Sequence, residues 1–444
     1  MRSIPTLLGI TLAAALAAQG PVQLSMQQAM DMAATQSYMT RNSALAVEVA
    51  KHRNKEFTAI GLPQVNGEAS LSNFIDPPTQ LVPNFFSAPG PGVPEYLSAS
   101  FQVPWQLSAG VTISQLIFDG SYLIGLRAAK ELKLQSEQEH QRAQADARSQ
   151  AAKAYQGVLA SEEGVRLLGE GVPLLEKSLH DASAMQQQGF LESTDVDRLT
   201  IELASLKNQQ RNFLQQGVIA RAMLALTLGL PQGTPITLTD KLDALIDNPD
   251  EAALSETAFD ANSNVELSVA STYARLQVLN MKNERSKGMP SLGGFFSHSQ
   301  VWNGPEFDPG GEYGFYPTTL WGLKLTVPIF SSGMRYHKVQ QAKLGLEQAE
   351  INRTATEQRL LATAEQQRLT ARSAFDNYTT EKSNMELSRT IMERTTTKFT
   401  SGLATSFELT QEQSRYLTAQ QAYVQRLVEL LVARTDLRKA LDLY

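Results

Sequence analysis

The chain is written twice. Ile117-Phe118-Asp119-Gly120 returns as Ile329-Phe330-Ser331-Ser332-Gly333, and Gly189-Phe190-Leu191-Glu192-Ser193-Thr194-Asp195-Val196 returns as Gly402-Leu403-Ala404-Thr405-Ser406-Phe407-Glu408-Leu409. The offset is 213 residues from Gly120 to Gly333 and again from Gly189 to Gly402. It persists through Leu224 and Leu437, Leu228 and Leu441, and Leu230 and Leu443, a gap-free match of about 110 residues. Upstream, Leu62-Pro63 answers Met289-Pro290 at another offset, because the second copy is about fourteen residues shorter there. Such a period is far longer than the roughly 20–50 residues of a solenoid unit, so one large unit has been duplicated.

Each copy reads in the same order. A helix comes first, over residues 25–60 and then 254–287, and a proline ends it. Two alternating segments joined by a loop follow, and then two very long helices. The expected divisions are a signal peptide at 1–18, a first repeat at 19–230, a linker at 231–253 and a second repeat at 254–444. The signal is read from Arg2, the apolar run of residues 7–18 and the small-residue site Ala15-Leu16-Ala17.

The alternating segments have period two. Leu107, Ala109, Val111 and Ile113 alternate with Ser108, Gly110, Thr112 and Ser114. Trp321, Leu323, Leu325, Val327 and Ile329 alternate with Gly322, Lys324, Thr326 and Pro328. Partners are expected at 65–71 and 292–298. One apolar and one polar face suit a half-buried sheet, or a barrel with lipid outside and water inside. Each run is about ten residues, the length a tilted strand needs to cross a bilayer.

The connections between these strands hold six prolines in 73–97 (Pro77, Pro78, Pro83, Pro89, Pro91 and Pro94) and, in 301–319, Trp302, Phe307, Tyr313, Phe315 and Tyr316. Proline predicts irregular loops at both places. Their aromatics either form an interfacial girdle or pack on their own sheet.

The helices exceed those of a globular domain. Residues 334–401 contain no proline and one glycine, Gly345. At 1.5 Å per residue such a helix reaches roughly 100 Å. Residues 403–444 contain neither. In the first copy Gly157, Gly164, Gly169, Gly171 and Pro173 predict a bend or break near Pro173. Leu409, Tyr416, Tyr423, Leu430, Leu437 and Tyr444 are seven apart, and Leu199, Leu206, Phe213 and Ala220 keep that spacing. Such stripes pack helix on helix. Between the long helices the chain must reverse at Gly189 and Gly402. Thr405-Ser406-Phe407-Glu408 reads as a capping box that opens the last helix, with Thr194-Asp195-Val196-Asp197 as its counterpart.

Composition narrows the function. The 444 residues include no cysteine, which excludes disulfides, thiolate metal sites and a thiol nucleophile. A net charge of −6 argues against a nucleic-acid partner. A mean hydropathy of −0.23 argues against a helical membrane protein but leaves a β-barrel open. His52, His140, His180, His298 and His337 are scattered without ligand spacing, and no phosphate loop or nucleophile elbow is present. Glu137, Glu139, Glu162 and Glu163 lie among Lys and Arg, as on a solvated helix face. No catalytic residue, cofactor or metal site is expected.

From residue 25 to residue 444 the chain resembles the TolC-like outer-membrane efflux proteins, the outer membrane factors. The likeness is carried by the duplicated order, by the junctions Gln115-Leu116-Ile117-Phe118-Asp119-Gly120 and Val327-Pro328-Ile329-Phe330-Ser331-Ser332-Gly333, and by the Gly-x-x-x-Ser-x-(Asp/Glu)-(Val/Leu) tips. It implies a mainly α fold with a transmembrane β-barrel, a homotrimer in which each protomer gives four strands to a twelve-stranded barrel, and a long periplasmic helical barrel. The 231–253 segment would lie in an equatorial belt. The implied function is a passive exit duct, not an enzyme, in a tripartite efflux or type I secretion system. Its partners would be a periplasmic adaptor, an inner-membrane transporter and outer-membrane lipid.

Residue roles carry over at the tips alone. Gly189, Phe190, Leu191, Ser193, Gly402, Leu403 and Ser406 match the adaptor-docking motif, and the same residues also serve as turn and cap. Glu408 matches the first position of a periplasmic acidic gate. The second position is Gln411, which departs from the family's aspartate, and Glu408 is equally a capping residue. Lipid-anchored relatives need a cysteine, so this chain is expected to hold the membrane by its barrel. The alternatives are a periplasmic coiled-coil adaptor carrying a small soluble sheet without a channel, and an exported enzyme.

Overall fold

The computed structural model describes residues 22–85, 94–246 and 258–444. The expected signal at 1–18, the loop residues Phe86, Pro89 and Pro91, part of the 231–253 linker and the start of the second repeat at 254 lie outside the described residues. In chain order the elements begin with β1 (Val22–Leu24), α1 (Met26–Gln36), α2 (Tyr38–Ile60), β2 (Gln64–Asn73), β3 (Gln80–Pro83), β4 (Tyr96–Ala99) and β5 (Trp105–Phe118). The long helices α3 (Gly120–Gln187) and α4 (Ser193–Leu228) follow, then β6 (Ile236–Leu238) and α5 (Leu242–Ile246). The order then returns as α6 (Val265–Ser286), β7 (Ser291–Gly304), β8 (Tyr316–Thr326), α7 (Met334–Thr400) and α8 (Ser406–Ala440).

Contacts divide the chain into two units. The first comprises Met1–Glu48, Leu134–Tyr273 and Glu350–Tyr444, and the second comprises Val49–Lys133 and Ala274–Ala349.

The second unit holds a four-stranded antiparallel sheet in the order β2-β5-β7-β8. β5 pairs with β7 from Trp105 opposite Gly304 to Phe118 opposite Leu292, so strands from the two halves of the chain share one sheet. A bulge lies between Leu116 and Phe118, where the strand turns toward α3. Two expectations for the loops need correction. Residues 73–97 are not wholly irregular: β3 pairs with β4, with Pro83 opposite Tyr96. Pro83 ends its strand in a two-stranded ribbon, where its missing N–H breaks no inner ladder. Residues 301–319 are strand at both ends, since β7 runs to Gly304 and β8 starts at Tyr316, and irregular between them. Trp302 is fully buried, and Phe307 meets it edge-on with ring centroids 6.0 Å apart and stands 5.3 Å from Trp105. For Trp302 and Phe307 the packing alternative holds.

The first unit has no single core. One cluster joins Leu24, Ala29 and Ala33 to Tyr155, Leu224, Leu228, Leu427 and Leu430. A second joins Leu168, Leu175 and Ala182 to Leu199, Leu206, Phe399, Leu409 and Leu417. The seven-residue stripe of α8 is buried from Leu409 to Leu437. Ala147, Ala151 and Ala152 are almost fully buried and let α3 approach its neighbours closely.

Three helix boundaries differ from expectation, the simplest being the helix expected over 254–287, which begins at Val265 after Asn264. The first helix is broken at Ser37, whose ψ of 151° is extended. Its Oγ accepts the Thr40 N–H at 3.2 Å and so caps α2, while the Thr40 hydroxyl donates to the Ala33 carbonyl at 2.7 Å. By contrast α3 runs through Pro173 without a break. An interior proline costs about 3 kcal/mol. Leu168 and Leu175, which flank it and are 1% and 3% exposed, are fixed in the same cluster and hold the helix together. At the end of α4, Gly229 has φ +73°, and a Cβ there would stand 2.4 Å from the Gln36 carbonyl oxygen, so only glycine fits.

β1 and β6 form a short parallel pair, with Val22 opposite Ile236. Tyr155, fully buried, ties this pair to α3: its hydroxyl donates to the Leu24 carbonyl at 3.0 Å and accepts the Asp240 N–H at 3.2 Å. Burial, aided by the Asp240 carboxylate, pushes the phenol up to about 12. Because this value is above the ordinary 10.0, the phenol's contribution is fully present below pH 10.0 and lost as pH rises toward 12. Tyr155→Phe is expected to cost about 1 kcal/mol, by leaving the half-buried Asp240 N–H unpaired, while the Leu24 carbonyl keeps the Thr239 N–H. It should also remove this alkaline loss. Thermal unfolding followed by circular dichroism across that pH range measures both effects.

Candidate functional site

Register fixes two different faces on the sheet. Val65, Gly67, Ala69 and Leu71 of β2 stand opposite Ile113, Val111, Ala109 and Leu107 of β5. The same face continues on β7 and β8 with Phe296, Leu292, Trp321, Leu323 and Leu325. Trp321 is 78% exposed, and Leu323 and Leu325 are each 64% exposed. The opposite face carries Asn66, Glu68, Ser70, Ser108, Thr112, Ser297, Ser299 and Lys324. Hydroxyls bond across the strands there, Ser70 to Ser108 at 2.8 Å and Thr112 to Ser297 at 3.1 Å. His298 is a polar exception on the apolar face, bonded through Nδ1 to the Thr319 hydroxyl at 2.7 Å. The alternation ends at Thr326, so Val327 and Ile329, expected to continue it, lie beyond β8.

The two edges, β2 and β8, are ten and eleven residues long and, among the described residues, unpaired on their outer sides. Long bare edges of this kind are templates for another strand. Among the described residues no helix is long and apolar enough to cross a membrane.

The hairpin tips share one geometry. Gly189 (φ +81°) and Gly402 (φ +69°) each stand just past a long helix in the left-handed region. Gly189 N–H donates to Gln186 and Phe190 N–H to Met185; Gly402 N–H donates to Phe399 and Leu403 N–H to Lys398. Both tips are Schellman motifs, in which the residue after the glycine usually packs back on its own helix. Here Phe190 and Leu403 remain 77% and 79% exposed.

The helices after the tips start differently. Thr405 caps α8 in a full capping box: its Oγ1 accepts the Glu408 N–H at 3.2 Å, and Glu408 Oε2 accepts the Thr405 N–H at 2.8 Å. The expected counterpart at Thr194 does not form. Glu192 is the N-cap of α4 without a side-chain cap bond, and the Thr194 hydroxyl donates to the Glu192 carboxylate. Aspartate at 197 lacks the reach of the glutamate that closes the other box.

The proposed tip residues do not share one surface. Gly189, Phe190, Ser193, Gly402 and Leu403 are exposed, as are Glu408 and Gln411. Leu191 packs against the second cluster. Ser406 is 2% exposed, and its hydroxyl donates to Asp195. Asp195 also faces the Arg198 guanidinium at 3.6 Å, and Arg198 lies over the Phe407 ring. Asp195, read from the sequence as the acidic position of the tip motif, thus joins the starts of α4 and α8 together with Arg198, which was not singled out.

Of the helix carboxylates noted in the sequence, Glu162 and Glu163 pair with cations, while Glu139 accepts from the Gln135 amide at 3.2 Å. Glu163 meets Arg166 at 2.6 Å, and Glu162 pairs with Arg221. His140 bonds the Ser43 hydroxyl at 2.8 Å.

A mainly helical chain with a two-faced antiparallel sheet and paired, glycine-turned helical hairpins defines the class. Residues 261–442 match the outer membrane efflux protein family, and the resemblance to the TolC-like outer-membrane efflux proteins holds. No curated protein sequence matches. Solved structures share the fold. CusC, described for folding and transmembrane channel formation, is 15% identical with a TM-score of 0.71, covering 94% of this chain and 91% of CusC. The outer membrane protein VceC of Vibrio cholerae is 14% identical with a TM-score of 0.68, covering 94% and 95%. The Campylobacter jejuni CmeC outer membrane channel is 16% identical with a TM-score of 0.69, covering 94% and 85%.

Replacing Thr405 by Ala should cost about 1 kcal/mol through loss of the cap. Amide hydrogen exchange should show it as faster exchange at Glu408 and Leu409, with no change at the start of α4.

Proposed function

We propose that the chain is the outer-membrane exit duct of a tripartite efflux or type I secretion system, passing substrates from periplasm to outside without catalysis. The observation that carries this reading is the sheet: one face apolar and exposed, the other lined with hydroxyls, and both edges bare. β2 and β8 run in opposite directions, so β8 of one copy can extend β2 of the next in antiparallel pairing. Three copies of a four-stranded sheet would close a twelve-stranded barrel with no edge left. Lipid would cover the face of Trp321, Leu323 and Leu325, and water the face of Ser108, Thr112 and Ser297.

On this reading the two repeats, 19–230 and 254–444, supply equivalent parts, and 231–253 links them. The exposed Phe190 and Leu403 suit an apolar adaptor contact at the tips, with an inner-membrane transporter beneath it. Glu408, repeated by threefold symmetry, would give an acidic ring that favours cations, with Gln411 adding no charge. A periplasmic adaptor without a channel would have no use for two such sheet faces and edges.

Membrane fractionation followed by planar-bilayer recording tests the proposal. The expected result is an outer-membrane trimer with stable conductance steps; a soluble monomer giving none would sink it. The part played by Glu408 separates from its capping role by two variants. Glu408→Ala should lower the cation preference at low salt, whereas Thr405→Ala, which loses the cap and keeps the charge, should not. Equal selectivity in both variants and the parent leaves Glu408 as a cap alone.

A further inference from the structure

Four helices of the first unit, α3, α4, α7 and α8, leave a cavity of about 100 Å³ between them. Leu174, Leu206, Met392 and Leu417 give it an apolar wall. Gly171 forms one side, where a Cβ would stand 3.4 Å from Leu206 Cδ2. Gln413 also lines the cavity, and it is 6% exposed. Its Oε1 is buried without a hydrogen-bond partner in the chain. A buried acceptor left alone is destabilising and is relieved by any donor brought within reach.

Charge stays at the rim. Arg389 binds Glu393 at 2.9 Å, and both side chains are more than half exposed, at 59% and 55%. Glu170 stands at the same opening. An anion would meet the two carboxylates, and a cation would have to leave water for an apolar wall. Closed apolar cavities of about 150 Å³ accept benzene; this one holds about 100 Å³ and is open, so a single ring fits with its edge at the rim and a larger group does not.

We propose that the cavity binds a neutral single-ring molecule with one hydrogen-bond donor, a phenol in chemical class. Its ring packs among the four apolar side chains, and its hydroxyl donates to Gln413 Oε1. Because the walls come from both helical hairpins, α3–α4 and α7–α8, the ligand bridges them. The proposal does not depend on the channel reading.

Calorimetric titration of the full chain in detergent tests it, with phenol as the probe and toluene as the control of similar size that lacks the donor. Phenol should saturate one site per chain and bind at least about tenfold more tightly than toluene, the order expected of one buried hydrogen bond. Gln413→Met, close in shape and without the amide, should bring the two within about twofold of each other. Gly171→Leu should fill the cavity and abolish saturable binding of both. Circular dichroism checks its folding, and Met392→Phe replaces it if the helix content falls. Binding by the cavity-filled variant equal to that of the parent overturns the proposal, as does equal affinity for phenol and toluene. Phenol uptake that never saturates, which marks partition into detergent alone, overturns it as well.

Discussion

The pairing of β5 with β7 is the interaction on which the sheet depends. Each half of the chain brings only two strands to it, β2 with β5 and β7 with β8. A lone two-stranded hairpin is marginal in water. The β5–β7 ladder joins the pairs along almost the whole of both strands and makes the alternation of one half continuous with that of the other. A slip of one residue would put Ser108 and Thr112 on the apolar face, so the pattern specifies this register strongly. The hydroxyl contact between Thr112 and Ser297 crosses that junction and belongs to the polar face alone.

The helical unit solves a different problem. Its helices cannot surround one core, so apolar side chains are spent along seams. In α8 the stripe Leu409, Tyr416, Tyr423, Leu430 and Leu437 is buried throughout. The companion positions, also seven apart, are Ser406, Gln413, Gln420 and Leu427, all buried. The seam thus changes from polar to apolar along one helix. Gln420 donates to the Leu167 carbonyl at 3.3 Å, but its Oε1, like that of Gln413, has no partner.

Much of the fold was legible because its signals are local or periodic. Absence of proline, with Gly345 the one glycine, bounded α7 almost to the residue, and T-x-x-E located the cap of α8. Gly189 and Gly402 marked the reversals because a left-handed residue favours glycine. The failures have the opposite character. Pro173 predicted a break from local chemistry, and burial of Leu168 and Leu175 overrode it. Ser37 broke a helix that periodicity made continuous, since a serine side chain can replace a backbone partner anywhere. Pro83 counted against pairing, yet a strand end in a ribbon tolerates it. At the tips, the docking motif placed Ser406 beside Leu403 in sequence, but helix geometry turns the serine inward to Asp195 and leaves the leucine in solvent.

The polar companion positions explain why the heptad stripe was seen and the serine and glutamine members of its partner row were not. A glutamine seven residues from a serine looks like surface composition, and only neighbours from α3, α4 and α7 make it interior. Burying such groups removes hydrophobic stabilisation without restoring every hydrogen bond. Seam segments rich in them should open at lower free energy than the segment from Leu427 to Leu437, where leucines fill the interface. Polar layers also restrict which registers two helices can adopt, because a one-heptad slip of α8 would set Gln420 against positions now filled by Leu427. Stability and register are therefore drawn from different stretches of the same helix, the first from leucine and the second from serine and glutamine.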